Sequence, residues 1–328
     1  MAPPPPGAAR LTEPAPHGPR ILFITSNRIG DAVISCGILD YLIQTQPTCR
    51  ISIVCGPVAA GVFARLPNRA ETILFQKLPF DRHWWRLWRQ VVGTRWDLIV
   101  DLRQSAIAYV LRAGRRAVKR RGTQGLRKFE QLAATIGASP APLPVVWTAP
   151  EDRLRAAQLL PAPIVIGFGP TANWPPKAWP PQRFAALFHA LAERMPGAVP
   201  AVFGGPGPQE RAMAAPLLGL LPNAIDLCGV LTLPEAAACL QRCTVFIGND
   251  SGLMHMAAAA GTPTIGLCST TRDRAVEMAP AGLHAAWALG EGDTMQDLTV
   301  QDALRAVLAL LDQSGATVSA PPATTPAP

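Results

Sequence analysis

The sequence repeats one pattern, in which a short apolar run is followed by small or polar residues and then by a stretch with helical spacing. The run "RILFIT" followed by "DAVISCGILDYLIQT" is the first instance, and "CTVFIGND" followed by an alanine-rich stretch is a later one. Such runs are typical of buried strands, and the longer stretches are typical of helices that cover a sheet. This alternation predicts parallel sheets with right-handed crossovers, which is an α/β fold.

A proline-rich segment at residues 137–152 interrupts the alternation and divides it into two halves. The length of 328 residues fits about two domains, and a hydrophobic content of 49% supplies a sizeable core. We predict Rossmann-like domains at residues 20–150 and 151–313, flanked by disordered proline-rich tails at 1–19 and 314–328. Ligands of doubly wound sheets lie beyond the carboxyl ends of the strands, so two facing sheets would hold a ligand in a central cleft.

Several classes of protein are disfavoured by what the sequence lacks. No apolar stretch approaches the roughly 18 residues of a membrane span, and the first 20 residues contain no apolar region typical of a secretory signal. The seven cysteines are odd in number and form no CxxC pair, which predicts reduced, buried thiols in a cytoplasmic protein and no metal site. No GxGxxG or GxxxxGK[ST] motif occurs, so dinucleotide dehydrogenases and P-loop enzymes are disfavoured.

The strand ends of the second half supply the groups that bind a nucleoside diphosphate. In "IGNDSGLMH", Asp250 ends a strand, and Ser251 and Gly252 begin a helix whose free amides attract an anion. His255 lies four residues after Ser251 and therefore on the same helix face. An ordinary helix cap beside a core histidine would explain the same residues.

Two further charged residues follow strands of the second half. Lys177 could reach the same phosphate as a point charge, and Glu210 follows a glycine loop in a position suited to ribose hydroxyls. A surface lysine and a glutamate in the first turn of a helix are the plainer interpretations. In the first half, Asp31 begins the first helix, where its carboxylate could take a proton from an attacking hydroxyl or simply complement the helix dipole.

The net charge of +8 is concentrated in the first half. Residues 112–128 hold eight Lys or Arg and no acid, and residues 82–96 place tryptophans among arginines. Such surfaces meet nucleic acid, a membrane or an anionic substrate. Solvated helix faces with ordinary core tryptophans are the alternative.

The chain resembles glycosyltransferase family 9, the heptosyltransferases of lipopolysaccharide core assembly. The resemblance rests on "ILFITSNRIGDAVISCGILDYL", "WDLIVDLRQS", "GFGPTANWPPKAWPPQRFAAL", "FGGPGPQERAMA" and "GNDSGLMHMAAAAGTPTIGLCSTT", which occur in the order of that family. It covers about residues 20–312. It implies a GT-B fold, with two Rossmann-like domains facing a central cleft, and an inverting reaction that needs no metal and no cofactor.

The resemblance also implies roles for individual residues. Asp31 would be the general base, and Lys177 would neutralise the leaving diphosphate. The implied donor-binding residues are Thr171, Glu210, Asp250, Ser251, Gly252, His255 and Thr271. An anionic acceptor needs positive charge on the first domain, and the residues predicted to bind it are Arg28, Arg115, Arg116, Lys119, Arg120 and Arg121.

The sequence departs from the family pattern around the first strand. Thr25 stands where a basic residue is usual, and Asn27 and Arg28 replace two small hydroxyl residues. Arg28 could restore the missing charge from a neighbouring position. These departures bear on the identity of donor and acceptor more than on the type of reaction.

We therefore predict a cytoplasmic glycosyltransferase associated peripherally with the inner membrane, which moves a heptose from ADP-heptose onto a lipopolysaccharide core acceptor. Its predicted partners are the nucleotide sugar, an anionic lipid-linked saccharide and the membrane face, without nucleic acid. The alternatives are a transferase that uses another ADP- or UDP-sugar, and a non-catalytic homologue that binds nucleotide sugars.

Overall fold

A computed structural model describes residues 18–119, 125–174, 177–268, 272–290, 292 and 294–315. The chain divides into two compact units. The first contains the residues up to Leu154 together with Thr232–Ala238 and Ala259–Gly261, and the second contains the remaining residues. Of the tails predicted at 1–19 and 314–328, residues 1–17 and 316–328 lie outside the described residues.

The first unit is built on a five-stranded parallel sheet with the order β3-β2-β1-β4-β5. Its strands are β1 (Arg20–Ile24), β2 (Arg50–Cys55), β3 (Arg69–Leu74), β4 (Trp96–Asp101) and β5 (Ala113–Val118). Its helices are α1 (Ile29–Thr45), α2 (Arg82–Val91), α3 (Ile107–Val110) and α4 (Lys128–Ile136). The central strand β1 is buried along Ile21–Ile24, as a strand covered by helices on both faces should be.

The second unit is built on a six-stranded parallel sheet with the order β11-β10-β9-β6-β7-β8. Its strands are β6 (Val165–Gly169), β7 (Val199–Val202), β8 (Ile225–Asp226), β9 (Val245–Asn249), β10 (Thr264–Cys268) and β11 (Ala285–Leu289). The remaining helices of the chain are α5 (Pro150–Leu159), α6 (Pro181–Ala192), α7 (Pro208–Leu220), α8 (Leu233–Gln241), α9 (Gly252–Ala259), α10 (Arg272–Met278) and α11 (Val300–Ser314).

The strand order reverses once in each sheet. In the first sheet the reversal falls between β1 and β4, and in the second it falls between β6 and β9. At such a switch point the connections leave on opposite faces of the sheet, and a crevice opens beyond the carboxyl ends of the two strands. The fold thus provides two candidate ligand-binding crevices, one in each unit.

The predicted fold class is confirmed, since both units are parallel α/β sheets. All seven cysteines are buried and none forms a disulfide, as the sequence analysis predicted. Three strands, β5, β8 and β11, were not predicted. Residues 113–118, which include Arg115 and Arg116, form the edge strand β5. Their charge did not indicate a strand in the sequence.

Candidate functional site

The loop after β6 and the end of β9 are joined by one buried amide. Asn249 accepts a hydrogen bond from the Trp179 N–H at 3.0 Å and donates from Nδ2 to the Pro170 carbonyl at 2.7 Å. Trp179 is itself buried and donates from its indole to the Leu298 carbonyl at 2.9 Å. These bonds fix the two ends of the loop that carries Lys177.

Lys177, Asp250 and His255 form a charged cluster beyond the end of β9. Lys177 Nζ lies 2.6 Å from Asp250 Oδ2, and His255 Nε2 lies 3.9 Å from Asp250 Oδ1. His255 is buried, while the Lys177 and Asp250 side chains remain 33% and 19% exposed. The Asp250 carboxylate therefore holds the ammonium group of Lys177 and faces the ring of His255 at longer range.

Ser251 brings an unsatisfied hydroxyl to the same place. Its Oγ is buried and has no hydrogen-bond partner among the described residues. The helix α9 begins at the next residue, Gly252, and the His255 N–H bonds the Ser251 carbonyl at 3.4 Å. Since a buried polar atom without a partner costs about 1–3 kcal/mol, this hydroxyl fits a site that a ligand oxygen completes.

Cys268 at the end of β10 lies close to this cluster. Burial and, to a smaller extent, the negative charge of Asp250 raise the pKa of its thiol to about 12, although Lys177 acts in the opposite direction. The thiol therefore stays protonated and neutral at physiological pH. It packs beside the Lys177–Asp250 pair without adding a charge.

Glu210 and Thr171 lie by the loop that follows β7. The Gly205 N–H donates to Glu210 Oε2 at 3.1 Å, which holds the carboxylate over the loop from the first turn of α7. Thr171 is buried beside Gly204. Its methyl group would be in van der Waals contact, at 3.6 Å, with a Cβ placed on that glycine. Thr271, the remaining predicted donor residue, lies outside the described residues.

Asp31 lines a pocket of about 330 Å³ at the switch point of the first sheet. It is the third residue of α1, and the Ser26 hydroxyl donates to its Oδ2 at 3.2 Å. The Arg28 N–H in turn donates to Ser26 Oγ at 3.1 Å, so the turn after β1 holds the hydroxyl toward the carboxylate. The pocket lining is Thr25, Ser26, Asn27, Arg28, Asp31, Leu102, Arg103, Lys119, Lys128 and Leu132.

Four cations and one carboxylate line this pocket, so it favours an anionic ligand. Arg28 and Lys119 were predicted individually, Lys128 only as a member of the basic segment 112–128, and Arg103 was not predicted. Arg103 donates from Nη1 to Asn27 Oδ1 at 2.7 Å, and its guanidinium carbon lies 4.9 Å from the centre of the Phe75 ring. Burial lowers the pKa of Arg103, an effect that the Asp101 carboxylate opposes.

The turn that carries Arg103 is shaped by Asp101 at the end of β4. The Asp101 carboxylate is fully buried and accepts hydrogen bonds from the Arg103 N–H at 2.8 Å and from the Ser105 N–H at 2.7 Å. The "DLR" residues 101–103 and Ser105 therefore form one hydrogen-bonded turn. That motif was the one indication in the sequence that Arg103 belongs to a site.

Two described residues of the predicted acceptor set, Arg115 and Arg116, do not line the pocket. Arg115 and Arg116 are neighbours on β5 and point to opposite faces of the sheet. Arg116 donates to the carbonyls of Ala108 and Leu111 at 2.8 and 2.6 Å, which ties its guanidinium to the chain. Arg120 and Arg121 lie outside the described residues.

Neither a metal cluster nor a membrane span is found in the part of the chain that the structure describes. There, no three His, Cys, Asp or Glu side chains are grouped so as to hold a metal ion. Over the same residues, every helix is too short or too polar to cross a bilayer.

Two doubly wound parallel sheets, one in each unit, match the GT-B fold that solved heptosyltransferase structures share. The structure of Escherichia coli ADP-heptose lps heptosyltransferase II superposes with a TM-score of 0.73 at 21% identity, covering 90% of this chain and 99% of that chain. The E. coli heptosyltransferase WaaC with ADP-2-deoxy-2-fluoro heptose gives a TM-score of 0.65 at 17% identity, covering 90% and 99%. These likenesses establish the fold.

The sequence comparisons identify the family. The model of glycosyltransferase family 9 (heptosyltransferase) matches residues 108–304. A lipooligosaccharide heptosyltransferase 2 from Haemophilus ducreyi is 27% identical over 288 residues, which are 74% of this chain and 81% of that protein. The chain belongs to glycosyltransferase family 9 and is a glycosyltransferase of the heptosyltransferase type.

Proposed function

We propose that this enzyme transfers a heptose from ADP-heptose to an anionic, lipid-linked lipopolysaccharide core acceptor, with inversion and without a metal ion. The observation that carries the proposal is the carboxylate of Asp31 in a pocket with four cations, because a base beside anion-binding groups suits a hydroxyl on a phosphorylated or carboxylated sugar. The names of its relatives, which include heptosyltransferases and one bound to an ADP-linked heptose analogue, support this donor and acceptor.

The second unit binds the donor in this proposal. When the bond between the sugar and the diphosphate breaks, negative charge grows on the leaving ADP. Lys177, oriented by Asp250, and the free amides of α9 neutralise that charge, and the Ser251 hydroxyl donates to a phosphate oxygen. Glu210 accepts hydrogen bonds from the ribose hydroxyls, and Thr171 lies near the phosphates.

The first unit binds and activates the acceptor. The acceptor hydroxyl attacks the anomeric carbon, its proton passes to Asp31, and the bond from that carbon to the ADP oxygen breaks. Ser26 holds the carboxylate for this step, and Arg28, Arg103, Lys119 and Lys128 bind the acidic groups of the acceptor. One displacement at the anomeric carbon inverts its configuration. Because the acceptor is lipid-linked, the enzyme works at the cytoplasmic face of the inner membrane.

The experiment supplies a core oligosaccharide acceptor with ADP-heptose, or with UDP-glucose as the competing donor, in buffer containing EDTA. Mass spectrometry is expected to show addition of one heptose from ADP-heptose only, and NMR of the product is expected to show the inverted anomeric centre. Transfer from UDP-glucose alone, an absolute requirement for Mg²⁺, or retention of configuration would each contradict the proposal.

A further inference from the structure

The exposed side of α2 combines arginines with aromatic rings. The helix turns Leu87 and Val91 into the core of the first unit. Four residues at the spacing i, i+3, i+4 and i+7 lie on the opposite side, which is one continuous helix face. They line a surface groove of about 540 Å³. We call Arg82, Trp85, Arg86 and Arg89, with Phe80 in the preceding turn, the α2 face.

Within the ranges that the structure describes, the cations of the α2 face have no anionic partner. Among the described residues, no ion pair or hydrogen bond engages Arg82, Arg86 or Arg89, and all three are exposed. They lie one helical turn apart, where like charges repel. Residues 77–95 hold five Lys or Arg and one acid, Asp81. Asp81 Oδ1 lies 3.7 Å from His83 Nε2 and forms no ion pair with any of the three arginines.

The aromatic rings of the α2 face are exposed to an unusual degree. Phe80 is 96% exposed and has a φ of 54°, a left-handed conformation that a bulky residue rarely adopts. Trp85 is 61% exposed, and its ring stacks on that of Trp88 at 4.8 Å with an angle of 18°. Exposed aromatic rings beside arginines suit a boundary between charged groups and an apolar layer.

We propose that the α2 face binds the headgroups of anionic phospholipids and holds the enzyme on the bilayer surface. A bilayer meets both requirements of this face, because its phosphates lie directly above an apolar layer that can accept Phe80 and the edge of Trp85. The arginine stems are long enough to keep their guanidinium groups at the phosphates while the rings enter the interface. The inference rests on the proposed function in one respect, since the lipid-linked acceptor is what brings the enzyme to a bilayer.

The test is flotation of the full chain with vesicles of phosphatidylcholine alone and with vesicles that also contain phosphatidylglycerol. The wild type is expected to bind the anionic vesicles preferentially, and to release them as salt is added. The Arg82→Gln/Arg86→Gln/Arg89→Gln variant should bind about a hundredfold more weakly, since each arginine near an anionic surface contributes about fivefold. The matched Arg82→Lys/Arg86→Lys/Arg89→Lys variant keeps the charge and should retain most of the binding. Trp85→Ala should bind anionic vesicles more weakly than the wild type at every salt concentration.

Equal binding of the wild type to both kinds of vesicle, or undiminished binding by the triple glutamine variant, would overturn the proposal. Loss of binding to duplex DNA without loss of binding to vesicles in that variant would reassign the α2 face to nucleic acid. The triple glutamine variant is expected to transfer sugar to a water-soluble, delipidated acceptor at the wild-type rate, which also shows that it is folded. An inactive wild type in that assay would refute the proposed transferase function, while the vesicle result would still decide the role of the α2 face.

Discussion

At the scale of single residues, the site is organised by hydrogen bonds that orient charged groups. Asp31 is held by Ser26, Arg103 is held by the turn that Asp101 closes, and Lys177 is held by Asp250. In each case a short polar contact limits the rotamers of a group that the proposed reaction uses. Positioning of this kind lowers the entropy that is lost when substrate binds.

Removal of the Ser26 hydroxyl is expected to lower turnover more than it lowers substrate affinity. Ser26→Ala leaves Asp31 without its hydrogen-bond donor, so we expect kcat to fall about fivefold to tenfold with little change in KM. Steady-state kinetics of transfer measure both. Ser26→Thr keeps a hydroxyl at the same position and should recover most of the rate. A large rise in KM at constant kcat would show instead that Ser26 binds the acceptor.

Lys177 should contribute to ADP binding without any metal ion. Lys177→Met removes the one lysine of the cluster, and we expect ADP to bind about thirtyfold more weakly, which corresponds to about 2 kcal/mol for a charged hydrogen bond. Calorimetric titration in EDTA measures the change. Lys77→Met, at an exposed position in the other unit, is the control and should bind ADP like the wild type. Unaltered ADP affinity in Lys177→Met would remove Lys177 from the donor site.

At the scale of secondary structure elements, β9 is the strand on which the proposed donor site depends. Its last residue, Asn249, is fully buried and bonds the two ends of the loop after β6. Asn249→Leu leaves the Trp179 N–H and the Pro170 carbonyl without partners, so we expect a loss of about 3 kcal/mol in the free energy of unfolding. Urea denaturation measures it.

The control for Asn249→Leu is the same substitution at Asn223, which is exposed. It should leave the free energy of unfolding within about 0.5 kcal/mol of the wild type. Similar stability for both variants would contradict the structural role given to the Asn249 amide.

Strands with a clear apolar run could be predicted from the sequence, and strands without one could not. β1, β6, β9 and β10 each contain a run of buried apolar or small residues, and this pattern identifies them. β5 carries arginines because it is an edge strand, β8 has two residues, and β11 is rich in alanine, which favours helices.

The site was predicted in part for a related reason. Asp31, Arg28 and the residues from Asp250 to His255 follow strands that the pattern reveals. Arg103 and Lys128 line the Asp31 pocket because β4 and β5 follow β1 in the sheet, and periodicity does not give the order of strands. Arg116 illustrates the converse, since a charge run does not show which of its members bond to the chain itself.

At the scale of the whole molecule, the net charge of +8 favours the binding of anions. In the proposed function the donor, the acceptor and the membrane surface are all anionic. The cations of the Asp31 pocket and those of the α2 face occupy separate parts of the first unit, and Lys177 belongs to the second. One molecule can therefore meet the three anions with different side chains, and variants at each place should separate their effects.

The measurement that tests the central claim most directly is transfer from ADP-heptose by Asp31→Asn. The substitution keeps the size of the side chain and removes the base, so we expect the rate of transfer to fall about 10²-fold to 10⁴-fold. The thermal melting temperature and the Kd for ADP should stay at the wild-type values, because Asp31 belongs to the first unit and the Lys177 cluster to the second. Transfer by Asp31→Asn at the rate of the wild type would contradict the assignment of Asp31 as the general base.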